Sequence, residues 1–139
     1  MSPRQRILFL CTHNSARSQM AEGLLRHLGG ERFEAFSAGT EATFVRPLAI
    51  AAMAELGIDV SEQESKTLDR YLGEPFDAVI TVCDQAAESC PVFPGATQRL
   101  HWSFLDPSKA TGTSDEQLAV YRQVRDNIRE HIERELLSR

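Results

Sequence analysis

No stretch of this 139-residue chain approaches the roughly 18 apolar residues of a membrane span. The basic N-terminus, Met1 to Arg6, precedes an apolar run too short for a secretory signal. Both absences predict a cytoplasmic protein with no membrane partner. No basic block stands out and the formal net charge is −5, which points away from nucleic acid. Repeats, low-complexity tracts and linkers are missing, so residues 1–139 read as a single domain. Cysteine is scarce, with three in all. An odd count does not suit a secreted disulfide scaffold, and a chain of this length buries a core without metal or disulfide staples. No metal is assigned. What matters is where the three cysteines stand.

Strand and helix patterns alternate, which predicts an α/β fold with a mainly parallel sheet. Ile7 to Leu10 is apolar without alternation, as in a strand covered on both faces. Ser18 to Leu28 reads as a helix with Met20, Leu24, Leu25 and Leu28 on one face, stopped by Gly29-Gly30. Phe33 to Ser37 is a second strand. Pro47 opens a helix to about Leu56, closed by Gly57. Leu68 to Leu72 suits a short helix. Ala78 to Val82 is the third strand and Gln98 to Trp102 the fourth. Glu116 to Leu137 is a long final helix. Its Leu118, Tyr121, Val124, Ile128, Ile132 and Leu136 recur at helical spacing and predict core packing.

The first cysteine opens Cys11-Thr12-His13-Asn14-Ser15-Ala16-Arg17-Ser18 at a strand-to-helix junction. A tight loop from Thr12 to Ala16 converges its backbone N–H groups into an anion nest. The helix beginning near Arg17 adds its positive dipole end. The Arg17 guanidinium matches two oxygens of a tetrahedral oxyanion. Asn14 tolerates the left-handed backbone such a loop needs. Ser15 and Ser18 are donors to the loop or to the sulfur. All these features favour a thiolate, so Cys11 is predicted to be a nucleophile near neutral pH. A buried cysteine before an ordinary capped helix is the plainer reading, and the fixed positions of several residue types outweigh it.

The segment Cys11 to Gly23, CTHNSARSQMAEG, resembles the active-site segment of the cytosolic arsenate reductases built on the low-molecular-weight tyrosine phosphatase fold. The resemblance continues in Ser37-Ala38-Gly39, in Thr81-Val82-Cys83 with Cys90-Pro91, and from His101-Trp102 to Asp106-Pro107. It covers nearly the whole chain. It implies a three-layer sandwich around a central four-stranded parallel sheet.

Cys83 also follows an apolar strand. If that strand neighbours the first, the two lie about 4.8 Å apart, and a Cys11–Cys83 disulfide is geometrically reasonable. Cys83 and Cys90 are different. Seven helical residues rise about 10 Å, beyond disulfide reach. The short polar segment Asp84 to Ser89 is a marginal helix, so it is expected to change order when the pair joins. The family implies a cascade. Cys11 attacks arsenate, Cys83 attacks Cys11 as arsenite leaves, and Cys90 then attacks Cys83 and frees Cys11. Thioredoxin would reduce the Cys83–Cys90 disulfide, with glutaredoxin and glutathione as the alternative. No bound organic cofactor is needed. Phosphate and sulfate are expected competitors of arsenate.

The resemblance makes Asp106 the general acid. A turn aspartate before Pro107 would be the plainer reading. It also implies a potassium site at Asn14, Glu22 and Ser37. Lys66 falls near the remaining ligand position, and its ammonium would replace the ion, so potassium dependence is expected to be weak or absent. Glu22 paired with Arg26 one helical turn on is the competing reading. His13 and Ala16 depart from some family members. His27, His101 and His131 read as structural. The rival function is a phosphatase acting on phosphate monoesters through Cys11. A non-enzymatic redox sensor or oxyanion-binding regulator is a third reading. A monomer is expected.

Overall fold

The computed structural model describes residues 3–84 and 90–138. Four strands form one sheet in the order β2-β1-β3-β4: β1 (Gln5–Cys11), β2 (Phe33–Gly39), β3 (Phe76–Thr81) and β4 (Ala96–His101). Every pairing is parallel. The C-terminal ends therefore share one edge, where open α/β sheets place their sites.

The unbroken apolar run of β1 follows from burial on both faces. Ile7 and Phe9 point into a core shared with the helices, while Leu8 and Leu10 point into a second core on the other face. The helices α1 (Arg17–Gly29), α2 (Pro47–Ala54) and α3 (Ser114–Ile132) pack against one another on the first face. The second face is covered by a 3-10 turn, Leu68–Tyr71, and by Phe93. There Phe36, Tyr71, Phe76 and Phe93 meet edge to face, with centroids 5.5–5.8 Å apart.

The expected strands and helices are all present, with shifted ends. α3 begins at Ser114 rather than Glu116, because Thr113 caps it. The Thr113 hydroxyl accepts from the Glu116 N–H, and Glu116 reaches back to the Thr113 N–H. Such a cap contributes about 1 kcal/mol. The α3 stripe is buried at Tyr121, Val124, Ile128 and Ile132. A π-helical turn, Glu133–Leu137, continues it and buries Leu136. The second helix stops at Ala54, and Gly57 then takes the left-handed region at φ +74°.

Candidate active site

The two neighbouring inner strands deliver two cysteines to one edge. Leu10 pairs with Thr81 in register. Just beyond, the Val82 N–H donates to the Leu10 carbonyl at 2.8 Å. Cys11 ends β1, and Cys83 lies two residues past β3. The two strands are neighbours, which is the condition on which a Cys11–Cys83 disulfide is geometrically reasonable.

The loop after Cys11 is held from outside. The Thr12 carbonyl accepts from the Glu41 N–H at 3.0 Å, and the Ser15 carbonyl from the Arg46 N–H at 2.9 Å. The His13 carbonyl accepts from the Thr43 and Ser65 hydroxyls at 3.3 and 3.2 Å. The Asn14 carbonyl accepts from the Gln19 amide at 3.1 Å. In a trans peptide the N–H points opposite to its carbonyl. Engaging four successive carbonyls therefore leaves the N–H groups of His13, Asn14, Ser15 and Ala16 pointing away from those partners. Such an arrangement can act as an anion nest. Asn14 takes φ +49°, the one non-glycine positive φ among the described residues. Its side-chain oxygen accepts from the Lys66 N–H at 2.8 Å and from Gln19 at 2.8 Å, which fixes that conformation.

Cys11 is a free, buried thiol. Its sulfur lies 2.8 Å from the Ser18 hydroxyl. The Asn14 amide donates to that same hydroxyl oxygen at 2.7 Å. The Ser18 hydroxyl thus keeps its own hydrogen available to donate to Cys11 once the sulfur is a thiolate. Arg17 is buried, donates to the Phe104 carbonyl at 3.2 Å and stands 3.7 Å from Asp106. The other Asp106 oxygen accepts from the Ser108 N–H at 3.0 Å and the Ser108 hydroxyl at 2.6 Å. This pins the carboxyl at the start of the 3-10 turn Pro107–Lys109. Asp106 borders an open cavity of about 410 Å³ that Asp84 also lines, one residue from Cys83.

Cys83 and Cys90 form a disulfide with Cα atoms 6.0 Å apart. Cys83 is buried and Cys90 partly exposed. The predicted order change between Asp84 and Ser89 falls on residues 85–89, outside the described residues. A second cavity of about 290 Å³ adjoins Cys90, with Thr81, Val92, Arg99 and His101 in its wall.

Glu22 combines both sequence readings and corrects one. It is 4% exposed rather than a surface residue. It pairs with Arg26 at 2.7 Å and with the Lys66 ammonium at 3.5 Å, and accepts from the Ser37 hydroxyl at 2.6 Å. The ammonium also donates to the Glu64 carbonyl at 2.7 Å. Burial lowers the Lys66 pKa, and the facing Glu22 carboxylate opposes that shift. The Lys66 ammonium thus stands beside the Glu22 carboxylate, while the Ser37 hydroxyl is bonded to Glu22 and the Asn14 side-chain oxygen to the Lys66 backbone N–H and Gln19. His13 is turned outward, 3.7 Å from Glu41. Ala16 is buried and precedes α1.

Two contributors carried no signal of chemistry in the sequence. Gln19 is fully buried and braces the loop from α1. Gly39 lies so close that a Cβ there would sit 2.8 Å from the Asn14 nitrogen and 2.8 Å from the Thr12 oxygen. The Ser37-Ala38-Gly39 motif was the available hint for the second.

Comparison with known proteins agrees with this geometry. The family described as low molecular weight phosphotyrosine protein phosphatase matches residues 6–138. An arsenate reductase of Halalkalibacterium halodurans is 51% identical over 126 residues, 91% of each chain. A solved structure described as an arsenate reductase in the oxidized state is 32% identical and superposes with TM-score 0.81, over 96% of this chain and 98% of that one. A thioredoxin-dependent arsenate reductase of Corynebacterium glutamicum is 29% identical with TM-score 0.66, over 99% of this chain and 65% of that one.

Proposed function

The chain belongs to the low molecular weight phosphotyrosine protein phosphatase family, and on that premise we propose that it reduces arsenate to arsenite through a three-cysteine relay. The observation that carries this is the Cys83–Cys90 disulfide on the same sheet edge as the free Cys11. Hydrolysis of a phosphate ester needs only one thiol. A second and third thiol of this placement suit a reaction that must dispose of two electrons.

In this reading the arsenate oxygens sit in the nest of N–H groups from His13 to Ala16 and against Arg17. The Cys11 thiolate, held by Ser18, bonds to arsenic. Asp106 protonates the departing oxygen, which leaves as water. The Cys83 thiolate then attacks the Cys11 sulfur. The arsenic–sulfur bond breaks and its electron pair stays on arsenic, giving arsenite and a Cys11–Cys83 disulfide. Cys90 attacks Cys83 and releases Cys11. The state with Cys11 free and Cys83–Cys90 joined is the end of that sequence. An external dithiol reduces that disulfide and returns the three thiols to their starting state, with thioredoxin the reductant that the C. glutamicum relative's name supports.

The reading includes no organic cofactor, a cytoplasmic setting that keeps thiols reduced, a monomer, and competition by phosphate. It also includes independence of potassium, because the Lys66 ammonium already neutralises Glu22. Adding potassium chloride in place of sodium chloride at equal ionic strength should change neither turnover nor Tm. A clear rise in either would contradict it.

The deciding experiment is arsenate-dependent NADPH oxidation coupled through thioredoxin and thioredoxin reductase. Wild type should turn over, and the Cys11→Ser, Cys83→Ser and Cys90→Ser variants should not. Brisk aryl phosphate hydrolysis with no arsenate turnover under any thiol system would make the protein a phosphatase.

A further inference from the structure

His101 closes β4 at the edge where the relay thiols lie. Its Nδ1 is 2.6 Å from the Thr81 hydroxyl, which also reaches the Leu100 carbonyl at 3.5 Å. Its Nε2 is buried and has no hydrogen-bond partner among the described residues. Buried polar atoms are nearly always paired. An orphaned one beside a redox couple points to a partner that exists in the other state of that couple. A ring nitrogen of His101 and the two sulfurs of Cys83 and Cys90 all lie within 4.8 Å of one another. A disulfide sulfur is a weak acceptor, whereas a thiolate accepts a charge-assisted hydrogen bond.

The exposure of the two sulfurs says which thiolate is concerned. Cys83 is fully buried, while Cys90 opens onto the 290 Å³ cavity. An incoming thiolate therefore reaches Cys90, and the electron pair of the broken bond goes to Cys83. A bare thiolate shut away from water is strongly disfavoured.

We propose that His101 is the proton partner of Cys83 in the relay. Its imidazolium gives a proton to the Cys83 thiolate as the disulfide opens, and its neutral ring takes that proton back when Cys83 attacks Cys11. This deepens the relay reading above and rests on it. In the opening step, one thiolate of an external dithiol bonds to the Cys90 sulfur, the S–S bond breaks, and Cys83 leaves with the electron pair and receives the His101 proton. The second thiol of the dithiol loses its proton, attacks the first, and releases Cys90 as a thiolate. Two electrons pass to the cysteine pair, and the dithiol departs as a disulfide.

Thr81 is a positioning residue. With Nδ1 held by the Thr81 hydroxyl, which also reaches the Leu100 carbonyl, the ring is fixed in place and Nε2 is left as the nitrogen that can exchange a proton. The other charged side chain in the same cavity wall is Arg99, whose Nε donates to the Phe93 carbonyl at 3.3 Å. From the β3 side the ionisable groups are Cys83 and, on the neighbouring cavity, Asp84. Beyond β4, Trp102 faces His131 at 5.4 Å.

The test follows reduction of the oxidised full-length protein by dithiothreitol between about pH 5 and 8, with thiols trapped by alkylation and counted by mass. The ratio of wild type to variant cancels the ionisation of the dithiol itself. His101→Asn keeps an amide toward Thr81 but has no proton to transfer. It should reduce roughly 10²-fold more slowly near neutrality, and the ratio should fall away across the range where an imidazole titrates. If the reduced state loses tenfold in stability, the couple shifts by about 30 mV. A ratio constant with pH, whether near unity or not, overturns the proposal. If His101→Asn does not fold, Thr81→Val retains the ring and loses its anchor. Reduction should then slow several-fold near neutrality while the pH dependence is kept, and an unchanged rate overturns the proposal. The assay uses no arsenate and no Cys11 chemistry, so its failure leaves arsenate reduction untouched, and the reverse holds equally.

Discussion

Cys11 and the Cys83–Cys90 pair stand at the ends of adjacent strands, yet their surroundings differ in kind. The loop after Cys11 is buried from Asn14 to Ala16, and its carbonyls are tied to residues from three other stretches of the chain: Gln19, 41–46 and Ser65. Beyond Cys90 the chain carries Val92, 77% exposed. The difference follows from the tasks. A nucleophile that must present several N–H groups to one oxyanion gains from a geometry set before the substrate arrives. A disulfide that must meet another protein's thiol needs a sulfur within reach of solvent. Preorganisation and access are built at neighbouring positions by packing the loop after Cys11 and leaving Cys90 and Val92 within reach of solvent.

The contrast predicts a graded set of responses. Arg17→Lys keeps the charge but loses the planar fork, and should lower kcat/KM for arsenate by about 10²–10³-fold. Chemical reduction of the Cys83–Cys90 disulfide should proceed normally in the same variant. Gly39→Ala places a methyl against the Thr12 and Asn14 backbone. The loop must shift, and a displacement of this kind costs roughly 10²-fold in turnover, to be read as a fall in kcat with the disulfide step unaffected.

A smaller effect concerns the far face. Burial pushes the Tyr71 hydroxyl from 10.0 up to about 12. The folded state therefore holds its proton where the unfolded chain has lost it. The stabilisation from this group is complete below pH 10 and fades as pH rises toward 12. Tyr71→Phe should flatten the alkaline decline of Tm, by on the order of 2 kcal/mol at the top of that range. A parallel decline in wild type and variant would show that Tyr71 does not drive it. Last, Val92→Ala on the open side should change stability by less than about 0.5 kcal/mol, measured by urea unfolding. A larger loss would mean that the open side is not open.

Much of this was legible in the residues. The unbroken apolar runs marked the inner strands because both faces of the sheet are covered. Cys11 and Arg17 at a strand-to-helix junction marked the cradle because few other tasks need those residue types there. The bracing was not legible. Gln19 is an ordinary helix residue until α1 brings it beneath Asn14. The contacts of Glu41, Thr43, Arg46 and Ser65 with the loop arise only when distant segments close over it. His101 read as structural because the feature that singles it out, a buried Nε2 with no partner among the described residues, is created only by the fold.

The most direct test of the relay is a single turnover of the fully reduced Cys90→Ser variant with one equivalent of arsenate, followed by mass analysis and arsenite determination. The account predicts one equivalent of arsenite and a protein trapped with a Cys11–Cys83 disulfide. Arsenite released without that disulfide, or no arsenite while Cys11 stays reactive toward an alkylating agent, would contradict it.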